Sequence, residues 1–150
     1  MFNEDGKLQD VSLDGFQVVR SQYFSRILEP AMTLWNCAIS FNTICFTQLN
    51  NCDMVQILVH DKEKTILIRP VNSKDPDAVH WKKQSPKYAK LECRAFAKRI
   101  YELWGLEEEY RYRAMGRLVQ SEKDKKVMLL FNFKDAELWK GTKLVKENGI

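Results

Sequence analysis

The chain of 150 residues is 45% hydrophobic and 29% charged, with a formal net charge of +4. This size and composition indicate one folded domain over residues 1–150 and exclude a disordered or fibrous chain. No apolar run approaches the roughly 18 residues that span a membrane, and the N-terminus lacks the basic and apolar parts of a signal peptide, so a cytoplasmic protein is expected.

The first predicted elements are two extended segments. Asp14-Gly15 is typical of a turn, after which residues 16–24 are expected to be extended. Residues 32–41 alternate in hydrophobicity and predict one further strand. The expected buried face of that strand is its apolar set, Thr33, Trp35, Cys37, Ile39 and Phe41.

A short helix and a hairpin are predicted next. Asn42 is a suitable N-cap for a helix over 43–49, because its side-chain oxygen can accept a hydrogen bond from a free backbone N–H. Two alternating segments around a charged turn then predict a β-hairpin that Pro70 ends. Residues 71–90 are predicted to form a polar linker, unusually long for a small domain.

The second half of the chain repeats the order of helix and hairpin. Apolar residues at four-residue spacing predict a helix over 92–104, and Gly105 is expected to end it. A second hairpin is predicted from strands at 110–119 and 127–133. In the remaining tail, Leu138 and Trp139 are expected to be anchors.

These elements predict an α+β fold with a mainly antiparallel sheet and two helices. The repeated order suggests two βαββ-like halves, 32–70 and 88–133, joined by the linker 71–90. Such halves would share one curved sheet with the helices on one side, which leaves the other side free for a partner. The alternative is that the repetition is a coincidence.

Residues 110–117 contain the strongest candidate for a binding surface. Successive side chains of a strand point to opposite faces, so two tyrosines and an alanine would share one face and the arginines the other. The arginines are Arg111, Arg113 and Arg117. An arginine row backed by tyrosines suggests a surface that binds an anion such as polyphosphate. The alternative is an ordinary solvated sheet face.

A second basic region leads into the second helix. Aromatic side chains can stack on bases and lysines can neutralise phosphates. The candidates are Trp81, Lys82, Lys83, Lys87 and Tyr88, followed by Arg94 and Lys98 on the exposed side of the helix. Together with the strand arginines they would form one continuous basic surface. The alternative is that Trp81 and Tyr88 anchor the loop to the core while its lysines are solvated.

The charge distribution agrees with a nucleic-acid partner without deciding for it. Residues 1–79 carry a net charge of −3, whereas residues 80–150 carry +7. Such asymmetry can mark a polyanion-binding half. The pI of about 8.8 lies just below the value usual for nucleic-acid-binding domains.

No arrangement of residues predicts catalysis, a metal or a cofactor. His60-Asp61 is the one adjacent histidine–acid pair, but neighbouring strand residues point in opposite directions. The acidic run 107–109 follows Gly105 and is typical of a solvated turn. The cysteines lack zinc-site spacing and are expected to be free: Cys37, Cys45, Cys52 and Cys93. We therefore expect no enzyme.

Four segments are distinctive as a set: Trp35-Asn36-Cys37-Ala38-Ile39-Ser40-Phe41-Asn42, Leu49-Asn50-Asn51-Cys52, Leu67-Ile68-Arg69-Pro70 and Tyr112-Arg113-Ala114-Met115-Gly116. They resemble small proteins of integrative and conjugative elements and prophages of Gram-positive gut bacteria, often labelled integrase or integrase regulator. The resemblance covers about residues 6–146 and transfers no functional residue. The chain lacks the catalytic motifs of both tyrosine and serine recombinases.

The resemblance and the basic residues together predict a non-enzymatic, DNA-associated regulator or accessory factor of a mobile genetic element. The alternative is a protein-binding inhibitor of a host defence system, such as a CRISPR-type nuclease. An enzyme whose site is assembled from distant residues is the third reading. The expected partner is DNA or a nucleic-acid-binding host protein and not a membrane, and an exposed strand edge would allow a homodimer.

Overall fold

The computed structural model describes residues 6, 8–19, 29–81 and 88–146, and the side chains of all these except Tyr88 and Ala89. Within these ranges the fold is α+β, as predicted. The strands are β1 (Ala31–Leu34), β2 (Ala38–Asn42), β3 (Met54–His60), β4 (Thr65–Pro70), β5 (Val79–His80), β6 (Tyr88–Glu92), β7 (Arg111–Gln120), β8 (Val127–Asn132), β9 (Glu137–Lys140) and β10 (Lys143–Lys146). The helices are α1 (Thr43–Gln48) and α2 (Arg94–Trp104), with a short 3₁₀ turn at Phe133–Asp135.

The strands form one curled sheet in which every described pairing is antiparallel. Their order is β5-β3-β4-β8-β7-β1-β2-β6, and β9 pairs with both β7 and β10. β7 is the strand that pairs with β1 on one edge and with both β9 and β8 on the other. Its residues 111–113 pair with β9, whereas its residues 116–120 pair with β8. One edge of β7 is thus shared by two successive partners.

The predicted order of helix and hairpin repeats within the sheet, but each repeat begins with two strands and not with the one predicted. The sequence β1-β2-α1-β3-β4 is followed by β5-β6-α2-β7-β8. In the two repeats, β1 corresponds to β5, β2 to β6, β3 to β7 and β4 to β8. When each strand is exchanged for its counterpart, the order β5-β3-β4-β8-β7-β1 is the same in both directions. The two halves meet along β4 and β8, where Ile66 lies opposite Phe131.

The prediction of one strand over 32–41 is wrong, because the chain turns at Asn36 and Cys37. The Trp35 N–H donates to the carbonyl of Ala38 at 2.8 Å, and Leu34 lies opposite Ile39. The turn reverses the expected alternation in the first strand. The large buried side chains are therefore Met32 and Leu34 in β1 and Ile39 and Phe41 in β2, whereas Thr33 and Trp35 are half-buried.

Asn42 occupies the N-cap position of α1, but its side chain does not cap the helix. It instead accepts a hydrogen bond from the Ala31 N–H at 3.1 Å and donates to the Glu29 carbonyl at 2.9 Å. The side chain of Asn42 therefore connects β2 to the start of β1. The predicted capping bond is wrong, because the neighbouring strand offers partners that the local sequence does not reveal.

The predicted linker 71–90 is also partly wrong, since it contains β5 and the start of β6. The extended segment predicted over 16–24 has no regular structure in its described part, residues 16–19, and its remainder lies outside the described residues. The second helix agrees with prediction, and Gly105 ends it with a left-handed φ of 65°. Neither described helix has the length and apolar content needed to cross a membrane.

The core lies between the two helices and one face of the curled sheet, which we call the inner face. Phe46 of α1 packs on Trp81 with ring centroids 4.5 Å apart. On α2, Tyr101 packs on Tyr112 of β7 at 5.7 Å, and Trp104 packs on Phe133 at 5.8 Å. Both helices contact the inner face, so the opposite, outer face of the sheet lacks a covering helix in the described part of the chain.

Candidate nucleic-acid interface

β7 presents its arginines on the outer face. Tyr112 and Ala114 are 2% and 1% exposed and point into the core, whereas Arg111 and Arg113 are half-buried and Arg117 is exposed. The alternation predicted for this strand is therefore confirmed. The arginine row is backed by buried side chains, and its backbone is fixed by pairing on both edges.

Tyrosine hydroxyl groups anchor the start of this strand from beneath. The Tyr101 hydroxyl donates to the carbonyls of Leu34 and Tyr110, at 3.2 and 2.5 Å. The Tyr112 hydroxyl accepts a hydrogen bond from the Glu107 N–H at 3.0 Å. Burial raises the pKa of both hydroxyl groups, so they stay protonated at neutral pH.

A buried carboxylate orients Arg113. Arg113 Nη1 lies 3.2 Å from Oε1 of Glu137, whose side chain is 7% exposed, whereas the Arg113 side chain is 34% exposed. The same oxygen accepts a hydrogen bond from Trp139 Nε1 at 3.1 Å. These contacts fix the guanidinium and the indole relative to each other on the outer face.

Arg111 is fixed by a different set of contacts. Its guanidinium lies over the Trp35 ring at 5.4 Å, and Lys90 Nζ lies over the same ring at 5.0 Å. Arg111 Nη2 also donates to the Gly141 carbonyl. The indole of Trp35 thus gathers two cations at one end of the outer face.

Side chains from five strands form a row across this part of the sheet. Each residue lies opposite the next in the strand register. The row is Glu137, Arg113, Thr33, Ser40 and Lys90, on β9, β7, β1, β2 and β6. Between the carboxylate at one end and the lysine at the other lie one guanidinium and two hydroxyl groups. The lysine, the guanidinium and the hydroxyl groups can donate hydrogen bonds to an anion.

Two adjacent cavities line the arginine row. One, of about 390 Å³, is bounded by Thr33, Arg111, Arg113 and Trp139. The other, of about 520 Å³, is bounded by Arg113, Met115, Gly116, Arg117, Leu130, Asn132, Asp135 and Glu137. Since both are bounded by Arg113, we name the pair the β7 groove. Each cavity lies within the size range of small-ligand sites.

Gly116 is required by close packing beneath the groove. A Cβ atom at this position would lie 2.6 Å from Cε1 of Phe131, and Phe131 is fully buried directly opposite it. The ring therefore occupies the space that a side chain would fill. This packing continues the core to the point where β7 changes partner from β9 to β8.

An apolar row lies beside the groove on the same outer face. Leu58, Leu67 and Leu130 are opposite one another on β3, β4 and β8, and Arg117 follows Leu130 on β7. The three leucines are half-buried. The outer face thus has a basic part and an apolar part that meet at Arg117.

Trp81 does not belong to this surface. Its side chain is 0% exposed, packs on Phe41 and Phe46 and donates from Nε1 to the Cys52 carbonyl at 2.8 Å. It is therefore inaccessible to a base, and the predicted stacking role is wrong. The alternative, in which Trp81 anchors the loop to the core, agrees with its burial.

The other residues predicted to bind nucleic acid fall into two groups. Lys82, Lys83 and Lys87 lie outside the described residues, as does the side chain of Tyr88. Arg94 and Lys98 are exposed on α2, which packs on the inner face through Tyr101. They therefore lie on the other side of the sheet from the β7 groove, and the two sets of cations do not share one face as predicted.

Several residues of the groove are not evident from the sequence. The sequence pattern predicts that Trp35 lies on a buried strand face and that Trp139 is an anchor of the tail. It does not indicate that Thr33, Lys90 and Glu137 belong to the site. The pairing of β7 with β1 and β9 brings these residues together. Such long-range pairings leave no local periodic signal. A cation-rich strand was the one local sign of the site.

The remaining candidates for chemistry are the histidines and the groups of potential metal ligands. The described residues contain no group of three or more histidine, cysteine or acidic side chains placed to hold a metal ion. His60 Nδ1 accepts a hydrogen bond from the Glu63 N–H at 3.3 Å, which gives it a role in the β3–β4 turn. Comparison with known proteins gives no match to a family model, a curated protein or a solved structure.

Proposed function

We propose that the β7 groove binds single-stranded nucleic acid, with DNA as the first candidate. The observation that carries this proposal is the row of arginines on the open face of β7, with two of its guanidinium groups already fixed by neighbouring side chains. Fixed donors lose little conformational entropy on binding, which favours recognition of phosphate groups.

The spacing of the arginines suits an extended polyanion. Residues two apart on a strand lie about 6.6 Å apart, so Arg111, Arg113 and Arg117 extend over roughly 20 Å along one direction. Arg117 is exposed and can contact phosphate directly, whereas Glu137 partly neutralises Arg113. The groove therefore provides a moderate positive potential and not a strong one.

An unpaired base has a suitable neighbour in the groove. Trp139 bounds the cavity beside Arg111 and Arg113, and its indole is held by Glu137. Base stacking on an aromatic ring contributes about 1–3 kcal/mol and is tolerant of sequence. Since bases in a duplex already stack on one another, this feature favours a single strand.

A role in a mobile genetic element follows from the resemblance of the sequence segments alone. A protein that binds single strands without catalytic residues would act as a regulator or accessory factor of recombination or transfer. The proposed chemistry agrees with such a role, since DNA mobilisation exposes single strands.

The direct test is fluorescence anisotropy with labelled single-stranded DNA, single-stranded RNA and duplex DNA at two salt concentrations. We expect micromolar or tighter binding to a single strand at low salt and weaker binding to the duplex. Affinity should fall steeply with salt, because each neutralised phosphate contributes about −0.7 to the slope of log K against log salt. Absence of binding at low salt would overturn the proposal.

Matched charge reversals locate the site. Arg117→Glu should weaken single-strand binding by roughly tenfold or more, since it reverses one exposed contact and repels the phosphates. Lys98→Glu makes the same charge change on the exposed side of α2 and should alter affinity by less than about twofold. An equal loss in both variants would show a non-specific effect of net charge and place the site elsewhere.

The apolar row favours a second candidate, a protein-binding inhibitor of a host nuclease. The buried centre of a protein interface is more apolar than the rest of the surface, and arginine is enriched in interfaces. In this reading Leu67→Asp would abolish capture of the partner and leave nucleic-acid affinity unchanged. A purified host nuclease that binds the chain in the absence of nucleic acid would support this candidate.

A further inference from the structure

Two cysteines distant in sequence lie opposite each other where β2 meets β6. The register of these strands places Ala38 opposite Glu92, so Cys37 and Cys93 form the next pair. The Cys93 N–H donates to the Cys37 carbonyl at 3.1 Å, which continues the ladder by one step. Both cysteines are free thiols.

The distance between opposite residues suits a disulfide bond. Directly opposed residues in an antiparallel pair have Cα atoms about 4.5–5.5 Å apart, within the range of about 4.4–6.8 Å that disulfides span. The pair also lies at the end of the ladder, between the β1–β2 turn and the first residue of α2.

The two thiols lie on the same side of the strands. Cys93 packs against the core on its inner side. Burial is the main cause of the raised pKa of the Cys93 thiol and of the Tyr101 hydroxyl, and the Cys37 thiol contributes to both. Tyr101 lies on α2 over the inner face. Because opposed residues of an antiparallel pair point to the same side, the pairing of Cys37 with Cys93 places both side chains on this inner side.

The four cysteines differ in access to an oxidant. Cys37 and Cys93 are partly exposed, whereas Cys45 is fully buried. Burial raises the pKa of the Cys45 thiol to about 12, which suppresses its reactive thiolate. Burial also raises the pKa of Cys93, so Cys93 suits the second step of an oxidation better than the first.

We propose that Cys37 and Cys93 form a reversible disulfide on exposure to a hydroperoxide. The Cys37 thiolate attacks a peroxide oxygen, the O–O bond breaks, and the leaving oxygen takes a proton and departs as water or alcohol. The Cys93 thiol then attacks the sulfenic sulfur, the S–S bond forms and water leaves. The two thiols lose two electrons and two protons, which the peroxide receives.

The test uses the full chain, treated with excess hydrogen peroxide, quenched by alkylation and digested without reductant. Mass spectrometry should show the peptide containing Cys37 linked to the peptide containing Cys93, and dithiothreitol should separate them. In Cys93→Ser, a sulfenic acid should accumulate at Cys37 and be trapped by dimedone. Absence of the linked peptide, or equal trapping in the wild-type chain, would overturn the proposal.

Cys52→Ser provides the matched control, because Cys52 is also partly exposed but lies outside this strand pair. The linked peptide should form at the same rate in this variant. A link between Cys52 and either of the two cysteines, or a disulfide between two chains on a non-reducing gel, would contradict the assignment. Circular dichroism before oxidation establishes that each variant is folded.

Discussion

Replacing Glu137 by glutamine should destabilise the protein slightly and strengthen its binding to single-stranded nucleic acid. The carboxylate accepts hydrogen bonds from Arg113 and Trp139, and glutamine retains an oxygen at that position. The variant therefore loses the charge assistance of these bonds rather than the bonds themselves. The group left uncompensated is the guanidinium of Arg113, whose side chain is 34% exposed and reaches water.

The reciprocal variant, Arg113→Gln, should destabilise the protein more strongly and weaken its binding to single-stranded nucleic acid. Arg113→Gln removes the guanidinium that donates to the buried carboxylate of Glu137, whose side chain is 7% exposed. Breaking a buried pair by removing one member typically costs about 3–5 kcal/mol, and Arg113→Gln should approach the lower end because the arginine is partly solvated. Glu137→Gln should cost only about 1 kcal/mol, since the charge it exposes is hydrated.

The two variants should also differ in their affinity for single-stranded nucleic acid. Glu137→Gln removes the negative charge that partly neutralises Arg113, so Arg113 can pair with one additional phosphate. The slope of log K against log salt should therefore steepen by at most about 0.7. The affinity gain should be several-fold at low salt. The affinity of Arg113→Gln should fall by a similar factor. Urea denaturation gives the two free energies of unfolding, and anisotropy titrations at four salt concentrations give the two slopes.

Glu102→Gln is the matched control, because it makes the same charge change on an exposed position of α2. It should leave both stability and the salt slope close to those of the wild-type chain. The reasoning is refuted if Glu137→Gln weakens binding, or if it destabilises the fold as much as Arg113→Gln does. Either result would mean that Glu137 supports the groove in some way other than by holding Arg113.

Three further perturbations test the structure around the groove. Gly116→Ala should lower the free energy of unfolding by about 1–3 kcal/mol, because the new methyl group overlaps the buried ring of Phe131; urea denaturation measures it, and an unchanged midpoint would contradict this packing. Trp81→Ala should destabilise by about 3–5 kcal/mol through the cavity it leaves, whereas the affinity of the folded fraction for single strands should not change. Burial raises the pKa of Tyr101 in the folded protein above its value in the unfolded chain. The contribution of the protonated hydroxyl to the free energy of unfolding is therefore complete below about pH 10 and decreases as the pH rises further. Tyr101→Phe should therefore be less stable at pH 7 by about 1–3 kcal/mol, because two carbonyls lose their donor, and the difference should narrow in denaturation curves recorded above pH 10.

The sequence predicted the features that depend on local periodicity. The alternation in β7 and the spacing of apolar residues in α2 each follow from the geometry of one element. The left-handed Gly105 at the end of α2 is a comparable local signal. These patterns were sufficient for the α+β class and for the outward direction of Arg111 and Arg113.

The failures occurred where a distant partner decides the local structure. The turn at Asn36 and Cys37 has neither glycine nor proline, and both sides of it are apolar, so 32–41 reads as one alternating strand. Pairing of β1 with β7 and of β2 with β6 selects two short strands instead. The burial of Trp81 is not evident from its local sequence for a related reason, since the core contacts that bury it come from β2 and α1.

The burial of Glu137 bears on the choice between a binding surface and an ordinary solvated face. A carboxylate loses hydration when it is buried, and this loss must be offset by partners. A solvated arginine row requires no such group, since exposed guanidinium groups are stabilised by water alone. Here the carboxylate fixes Arg113 and Trp139 beside the same cavity, so part of the entropy cost of ordering them falls on folding rather than on binding. That arrangement favours a ligand that needs a cation and an aromatic ring at a set separation, as a nucleotide with its phosphate and base does.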